Sequence, residues 1–385
     1  MKRNSKSIHG CIFLAAAALL WMGCSNPSVE IPDNNASNEN EEDPVETPDN
    51  NAPDESEEED SAETPDNNAP DESEEDSVQE IAGTVVNYSA RNITFSMITV
   101  PGGVVFPTGV DDSGRETVEN AFMIGETEVS YSLWNTVRNW AQNRGYRMSA
   151  GQAGSWQSAG GPGPGPFAAV SAQEPVTSIT WYDAVVWCNA LTEWLNAQKG
   201  TSLKPVYYYR QGGSLCKNSV NLEAFAREEE DHQFGSAFAD SAANGFRLPT
   251  AKEWELAARG QGSETVNAVN GLRDPYFCKG DSASGAAAAY TDETATQAVS
   301  VYNTAKTAAV GSKAANGLGL FDMSGNVYEW CYDWNAGDEG SLRITRGGSI
   351  YDFTAYYMQT GLVGFAAADA QYADIGFRAA CAGNE

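Results

Sequence analysis

Between Thr345 and Arg378 the chain reads TRGGSIYDFTAYYMQTGLVGFAAADAQYADIGFR, a run with no helical or strand period. Such a stretch fits an irregular loop region of a large α+β domain; it cannot be a repeating helical or sheet architecture. Its ends read as structure: Arg346-Gly347-Gly348-Ser349 has the glycines of a backbone pinch, and Ile375-Gly376-Phe377-Arg378 alternates like a last strand. Between them Tyr351, Phe353, Tyr356, Tyr357, Phe365 and Tyr372 sit among small or acidic neighbours, without a single Lys. That mixture is poor core material and suits a binding surface, where rigid amphipathic rings give contact area at low entropy cost. Two readings stand: buried aromatics in a loop region, or a ligand face.

The chain begins as an export signal. Lys2, Arg3 and Lys6 form the positive end, Cys11 to Met22 the apolar stretch, and Gly23-Cys24 the cleavage and lipidation point, with Trp21 where Leu is usual. The apolar run is too short to span a bilayer. Three acyl chains on Cys24 exceed the two signals that stable anchoring needs. The expectation is a lipoprotein, at the outer membrane or cell surface, meeting the membrane only through that anchor. Residues 25–80 follow as a spacer: 22 Asp and Glu, no Lys or Arg, PDNNA at 32–36, 48–52 and 65–69, and APDESEE twice. So much like charge and so little apolar surface cannot offset chain entropy. Subtracting the stalk's −22 and the signal's +3 from the formal −30 leaves −11 for residues 81–385. An acidic domain without a basic patch argues against nucleic acid as a partner.

Residues 81–385 carry the globular signals. Ile93 to Val105 alternates and ends in Pro101-Gly102-Gly103, a strand entering a turn. Ser130 is placed to cap a helix whose Leu133, Trp134, Val137, Trp140 and Ala141 share a face. Thr180 caps a second helix, with Asp183 at its third position and Ala184, Cys188, Leu191 and Leu195 on one face. Thr250-Ala251-Lys252-Glu253 is a further capping box, which gives Glu253 a structural role. GGPGPGPF at 160–167 is a surface loop, and 198–243 reads as a poorly periodic insertion.

GFRLPTAKEWELAARG (245–260), SGNVYEW (324–330), RGGS (346–349) and GFR (376–378) occur in the order seen in the formylglycine-generating enzyme family, which the chain resembles over roughly residues 95–380. The resemblance implies an α+β, modified C-type lectin fold: irregular, with two main helices and small antiparallel sheets. It says little about activity, because function lives in the site and not in the scaffold. The matching Asn and Glu of the family help hold calcium, which implies Asn326 and Glu329 here; packing and turn formation are the alternative role for the pair. No other cofactor is expected. The family's oxidase holds copper with two cysteines beyond Gly-Gly-Ser, positions that fall at Asp352 and Tyr357. A carboxylate and a phenol lack the softness of a thiolate pair. An iron site built from histidines is excluded, since only His9 and His232 exist. The lectin calcium motifs break at Glu174-Pro175-Val176 and Trp334-Asn335-Ala336. Cysteines 188, 216, 278, 331 and 381 have no metal spacing; buried thiols or disulfides are expected, the odd number leaving at least one free.

A lectin-type scaffold whose active-site region is replaced by aromatic and small residues resembles the variable proteins of diversity-generating retroelements, some of which are lipoproteins with this domain. In those proteins adenine-directed mutagenesis rewrites chosen Asn codons, which can yield the residues found at Tyr351, Asp352, Phe353, Ala355, Tyr356, Phe365, Ala366, Ala368, Asp369, Tyr372 and Asp374. The resemblance implies these as a ligand-binding face. Met358 and Gln359 cannot arise from such codons and are implied as framework. The expected function is ligand binding at the cell surface, the partner an unknown protein or cell-surface ligand. A divergent oxidase and a structural envelope protein are the alternatives.

Overall fold

The computed structural model describes residues 83–155, 157–158, 161–162, 171–228, 237–260, 277–338 and 340–383. The signal, Cys24 and the stalk lie outside the described residues, as do most of the 160–167 loop and part of the 198–243 insertion.

Among the described residues, four helices form where a capping side chain starts them. Helix α1 (Tyr131–Gln142) is capped by Ser130, whose hydroxyl accepts from the Leu133 amide, and it buries Leu133, Trp134, Val137, Trp140 and Ala141. Helix α2 (Trp181–Lys199) opens on a reciprocal box between Thr180 and Asp183, and ends at Gly200 in the left-handed conformation. Its expected face is buried, but so is every other side, from Trp181 unbroken to Thr192. The one-face reading is therefore too narrow: α1 packs on one flank, α3 (Ser219–Glu228) on another, and strand 85–90 on a third. Being surrounded, α2 carries a buried Asn189. Its amide donates to the Tyr207 and Cys216 carbonyls and accepts from the Val206 and Tyr207 amides, which pins the insertion to the core. Helix α4 (Ala251–Arg259) starts on the Thr250–Glu253 box, where Glu253 also takes a two-pronged ion pair from Arg247. Helix α5 (Glu293–Val299) is capped by Asp292.

Two four-stranded sheets frame these helices. The first runs Val85–Ala90, Ile93–Val100, Phe122–Gly125, Ala380–Ala382, all antiparallel, so the last strand closes beside the early ones. The second runs Gly364–Ala367, Leu342–Arg346, Tyr328–Trp334, Ile375–Gly376, the last pairing parallel. The segment that lacked any period is thus hung on this second sheet.

Arg378 joins the two sheets. Its guanidinium donates to both oxygens of Glu329 (2.6 and 2.7 Å) and to the carbonyls of Gly125 and Phe321, with neither Arg378 nor Glu329 exposed. Arg343 is held differently. It lies between the Trp181 and Trp334 rings, 3.6 and 3.3 Å from their centroids, while its Nε and Nη2 find no acceptor. In the core, Trp134 stacks on Trp187 at 5.6 Å and Phe377 meets both rings edge-on.

The five described cysteines are all buried and none is bonded to another, so the disulfide option fails. Burial pushes the Cys278 thiol up to about 11 and those of Cys216 and Cys381 up to about 12, where little thiolate exists at neutral pH.

Candidate functional site

The site is built outward from Gly347 and Gly348, both with left-handed φ (97° and 77°). A Cβ on Gly348 would collide with the Met358 methyl and the Tyr357 carbonyl, so only glycine lets the Ala355–Met358 3-10 turn settle against the strand end. Arg346 secures the same corner by donating to Glu255 (2.6 Å) and to the Leu362 carbonyl (3.0 Å). Ser349 then organises the floor. Its amide donates to Asp352 (2.8 Å) and its hydroxyl to Asp374 (3.0 Å), which draws two carboxylates 22 positions apart towards one residue. Burial raises the Asp352 pKa to about 6, against the lowering effect of the Ser349 amide and the Tyr328 phenol; burial also raises Asp374. Tyr351 donates or accepts at Ser155 through its hydroxyl and is half-buried.

Above this floor stand rings. Phe353 is 75% exposed and Phe365 57%, with Tyr356, Tyr357, Val363 and Tyr372 also exposed. Nine large hydrophobic side chains are exposed among the described residues, and these six fall between 353 and 372. The exposed large apolar side chains are thus concentrated in one segment rather than scattered singly. Tyr356 packs edge-on against Tyr357 (5.4 Å) and Tyr290 (5.7 Å), which restrains the rings without covering them.

Not every residue expected on this face is there. Ala355, Ala366 and Ala368 are buried, at 3%, 7% and 5% exposure, and cannot touch a large ligand. Ala355 lines the underside of the 3-10 turn beside Met358. Ala366 alternates inward from Phe365 on the Gly364–Ala367 strand, opposite Arg343, and Ala368 offers its carbonyl to the Trp181 amide. Asp352, Asp374 and Tyr351 form the half-buried floor, while Phe353, Tyr356, Phe365, Asp369 and Tyr372 are exposed. Met358 and Gln359 are buried framework positions. Tyr357, one of the rings of the aromatic run, and Val363, which was not among them, are also exposed. A separate cavity of about 400 Å³, lined by Phe122, Tyr207, Arg247 and Tyr332, lies apart from these residues.

The calcium reading of Asn326 and Glu329 does not fit the donor set. Glu329 already accepts from Arg378 twice and from the Trp254 indole (2.6 Å), leaving no outward oxygen. The Asn326 carbonyl oxygen accepts from the Ala308 amide (3.0 Å), and Asn326 holds a left-handed turn (φ 62°). Calcium needs six to eight oxygens, and no cluster of three or more acidic, Cys or His groups able to hold a metal occurs among the described residues. Packing and turn formation, the alternative role, is what this pair performs.

Beside Asn326 lies a different arrangement. Glu128 is buried, its pKa raised well above normal by burial and then by Asp322 and Glu329, with Arg378 opposing. Burial raises Asp322 as well, and Glu128 Oε1 and Asp322 Oδ1 have no partner besides each other's carboxyl. One proton shared between them satisfies both. A carboxyl with a raised folded pKa contributes stability that is complete below its unfolded value of 4.5 and is lost as pH climbs through the folded value. Glu128→Gln keeps a donor facing Asp322 without a titrating proton. Its melting temperature relative to the parent should therefore rise as pH is raised from the unfolded value of 4.5 upward. A difference that does not change with pH would show that Glu128 does not titrate there.

Fold and site together define a lectin-like scaffold of mixed α+β structure that carries an exposed aromatic face. The model of the Sulfatase-modifying factor enzyme 1-like domain matches residues 83–382, and the chain belongs to that family. The solved structure of Treponema denticola variable protein 1 is similar at 27% identity and a TM-score of 0.53, covering 78% of this chain and 99% of that one. CarF is similar at 27% identity and a TM-score of 0.52, covering 75% and 99%. Among curated relatives, the chaperone protein LppX of Paenibacillus barcinonensis is 28% identical over 276 residues, 70% of this chain and 85% of that one. The formylglycine-generating enzyme of Thermomonospora curvata is 29% identical over 144 residues, 29% of this chain and 41% of the enzyme.

Proposed function

We propose that this chain is a surface-displayed lipoprotein, anchored through Cys24 and raised on the 25–80 stalk, that binds ligands through a diversified face formed by Tyr351, Asp352, Phe353, Tyr356, Phe365, Asp369, Tyr372 and Asp374. The observation that carries the reading is the concentration of exposed rings between 353 and 372, on a segment whose backbone is held by Arg346, Gly348 and Ser349. A rigid frame under exchangeable side chains is the arrangement by which loops acquire new binding. The resemblance puts the family's thiol positions at Asp352 and Tyr357, which lack the softness that the oxidase's copper needs, and the described cysteines are buried. Likeness to a variable protein supports the same reading. Among the described residues no helix is long and apolar enough to cross a membrane.

Sequences of this gene from many isolates test the proposal. Substitutions should concentrate at 351, 352, 353, 356, 365, 369, 372 and 374. Met358, Gln359 and 346–349 should stay constant, and 355, 366 and 368 should stay small. A near-copy of the segment's codons, with Asn at the variable positions, should lie beside a reverse transcriptase gene. Substitutions spread evenly over 83–383, with no such copy, would overturn it.

A further inference from the structure

Charge narrows the partner. From Ile350 to Asp374 there are three carboxylates and no Lys, Arg or His. Two of them, Asp352 and Asp374, are gathered by Ser349, where the Ser349 amide and hydroxyl, the Tyr328 phenol and the like charge of Asp374 act on Asp352. Basic residues enter from outside the segment: Lys306 is three positions beyond Asn303, whose amide donates to the Asp352 carbonyl (3.0 Å), and the Lys279 carbonyl accepts from the Thr360 hydroxyl (3.2 Å). Exposed Tyr and Phe faces attract cations through their quadrupoles, and carboxylates between them attract the same charge. The domain's formal −11 repels a second copy, an acidic protein or an anionic polymer.

We infer that this face docks a basic polypeptide surface, with Lys or Arg side chains brought to Asp352 and Asp374 between the exposed rings. The inference rests on the binding reading above and adds the chemistry of the partner. Complementary charge would speed encounter and fix register, while the rings supply the contact area.

The test selects a random displayed-peptide library on the purified full-length chain, then measures the selected peptides on two double variants. Asp352→Asn with Asp374→Asn keeps both acceptors for Ser349 and removes the charge. Phe353→Ala with Phe365→Ala removes exposed rings. The expected result is peptides rich in Lys and Arg that lose about tenfold or more of their affinity on the Asn pair and also weaken on the Ala pair. Neutral or acidic peptides that depend on the Ala pair and ignore the Asn pair would overturn this inference and leave the binding face intact. No enrichment, or peptides indifferent to both pairs, would overturn both.

Discussion

Glu329→Gln should destabilise the domain by about 3–5 kcal/mol, measured by urea unfolding of the otherwise unchanged chain. The reason is what remains rather than what is lost. Arg378 is entirely buried, and Glu329 is the carboxylate that meets its Nε and Nη2. Two carbonyls, Gly125 and Phe321, also take its protons, but they carry no compensating charge. Gln keeps one oxygen for the Trp254 indole but turns an amide donor towards the guanidinium. The charge that balances Arg378 directly is lost in a place water does not reach, and only Glu128 and Asp322 still offset it. Replacing both partners by Met should recover much of that loss, because an apolar pair of similar volume leaves no unmatched charge. A single variant that unfolds within about 1 kcal/mol of the parent would mean that the pair does not join the two sheets energetically.

The face should behave in the opposite way. Phe353→Ala, Tyr356→Ala, Phe365→Ala and Tyr372→Ala, made singly, should each shift stability by under about 1 kcal/mol, since these side chains stand in solvent. Trp330→Ala and Trp187→Ala should each cost about 3–5 kcal/mol, because both rings are buried in the core. Tyr351→Ala falls outside the first group, since its hydroxyl is bonded to Ser155. Thermal melts of this set decide the matter without a ligand. If most of the four exposed positions melted like the two tryptophans, the rings would be core and the binding reading would have to go. Should a partner be in hand, the same four variants are where affinity losses above about 1 kcal/mol belong.

Much of the scaffold was legible in the chain because its signals are local. Ser130, Thr180 and Thr250 announce three helices through bonds spanning three residues, and the buried face of α1 follows from its spacing. What stayed hidden depends on contacts far apart in sequence. Nothing near Arg378 points to Glu329, 49 positions earlier, and nothing near Arg343 shows that Trp181 and Trp334 will hold it. The same limit explains one of the three misplaced alanines, Ala366. Ala carries no preference for either side of a strand, so only the pairing of Ala366 with Arg343 reveals that it turns inward. The two carboxylates of the floor were named individually, but their meeting at Ser349 required the fold.

The first sheet has a mechanical consequence. Strand Val85–Ala90 is an edge, bonded only to Ile93–Val100, and its rungs run from Val85–Ile98 at the near end to Ala90–Ile93 at the far end. A pull on the chain ahead of Gly83, directed across the strands, loads those rungs one after another rather than all at once. The strand peels like a zip, releasing about 20 Å of chain for its six residues before the next strand is loaded. The inner strands Phe122–Gly125 and Ala380–Ala382, and the Arg378 junction beside them, would feel tension only once that slack is gone.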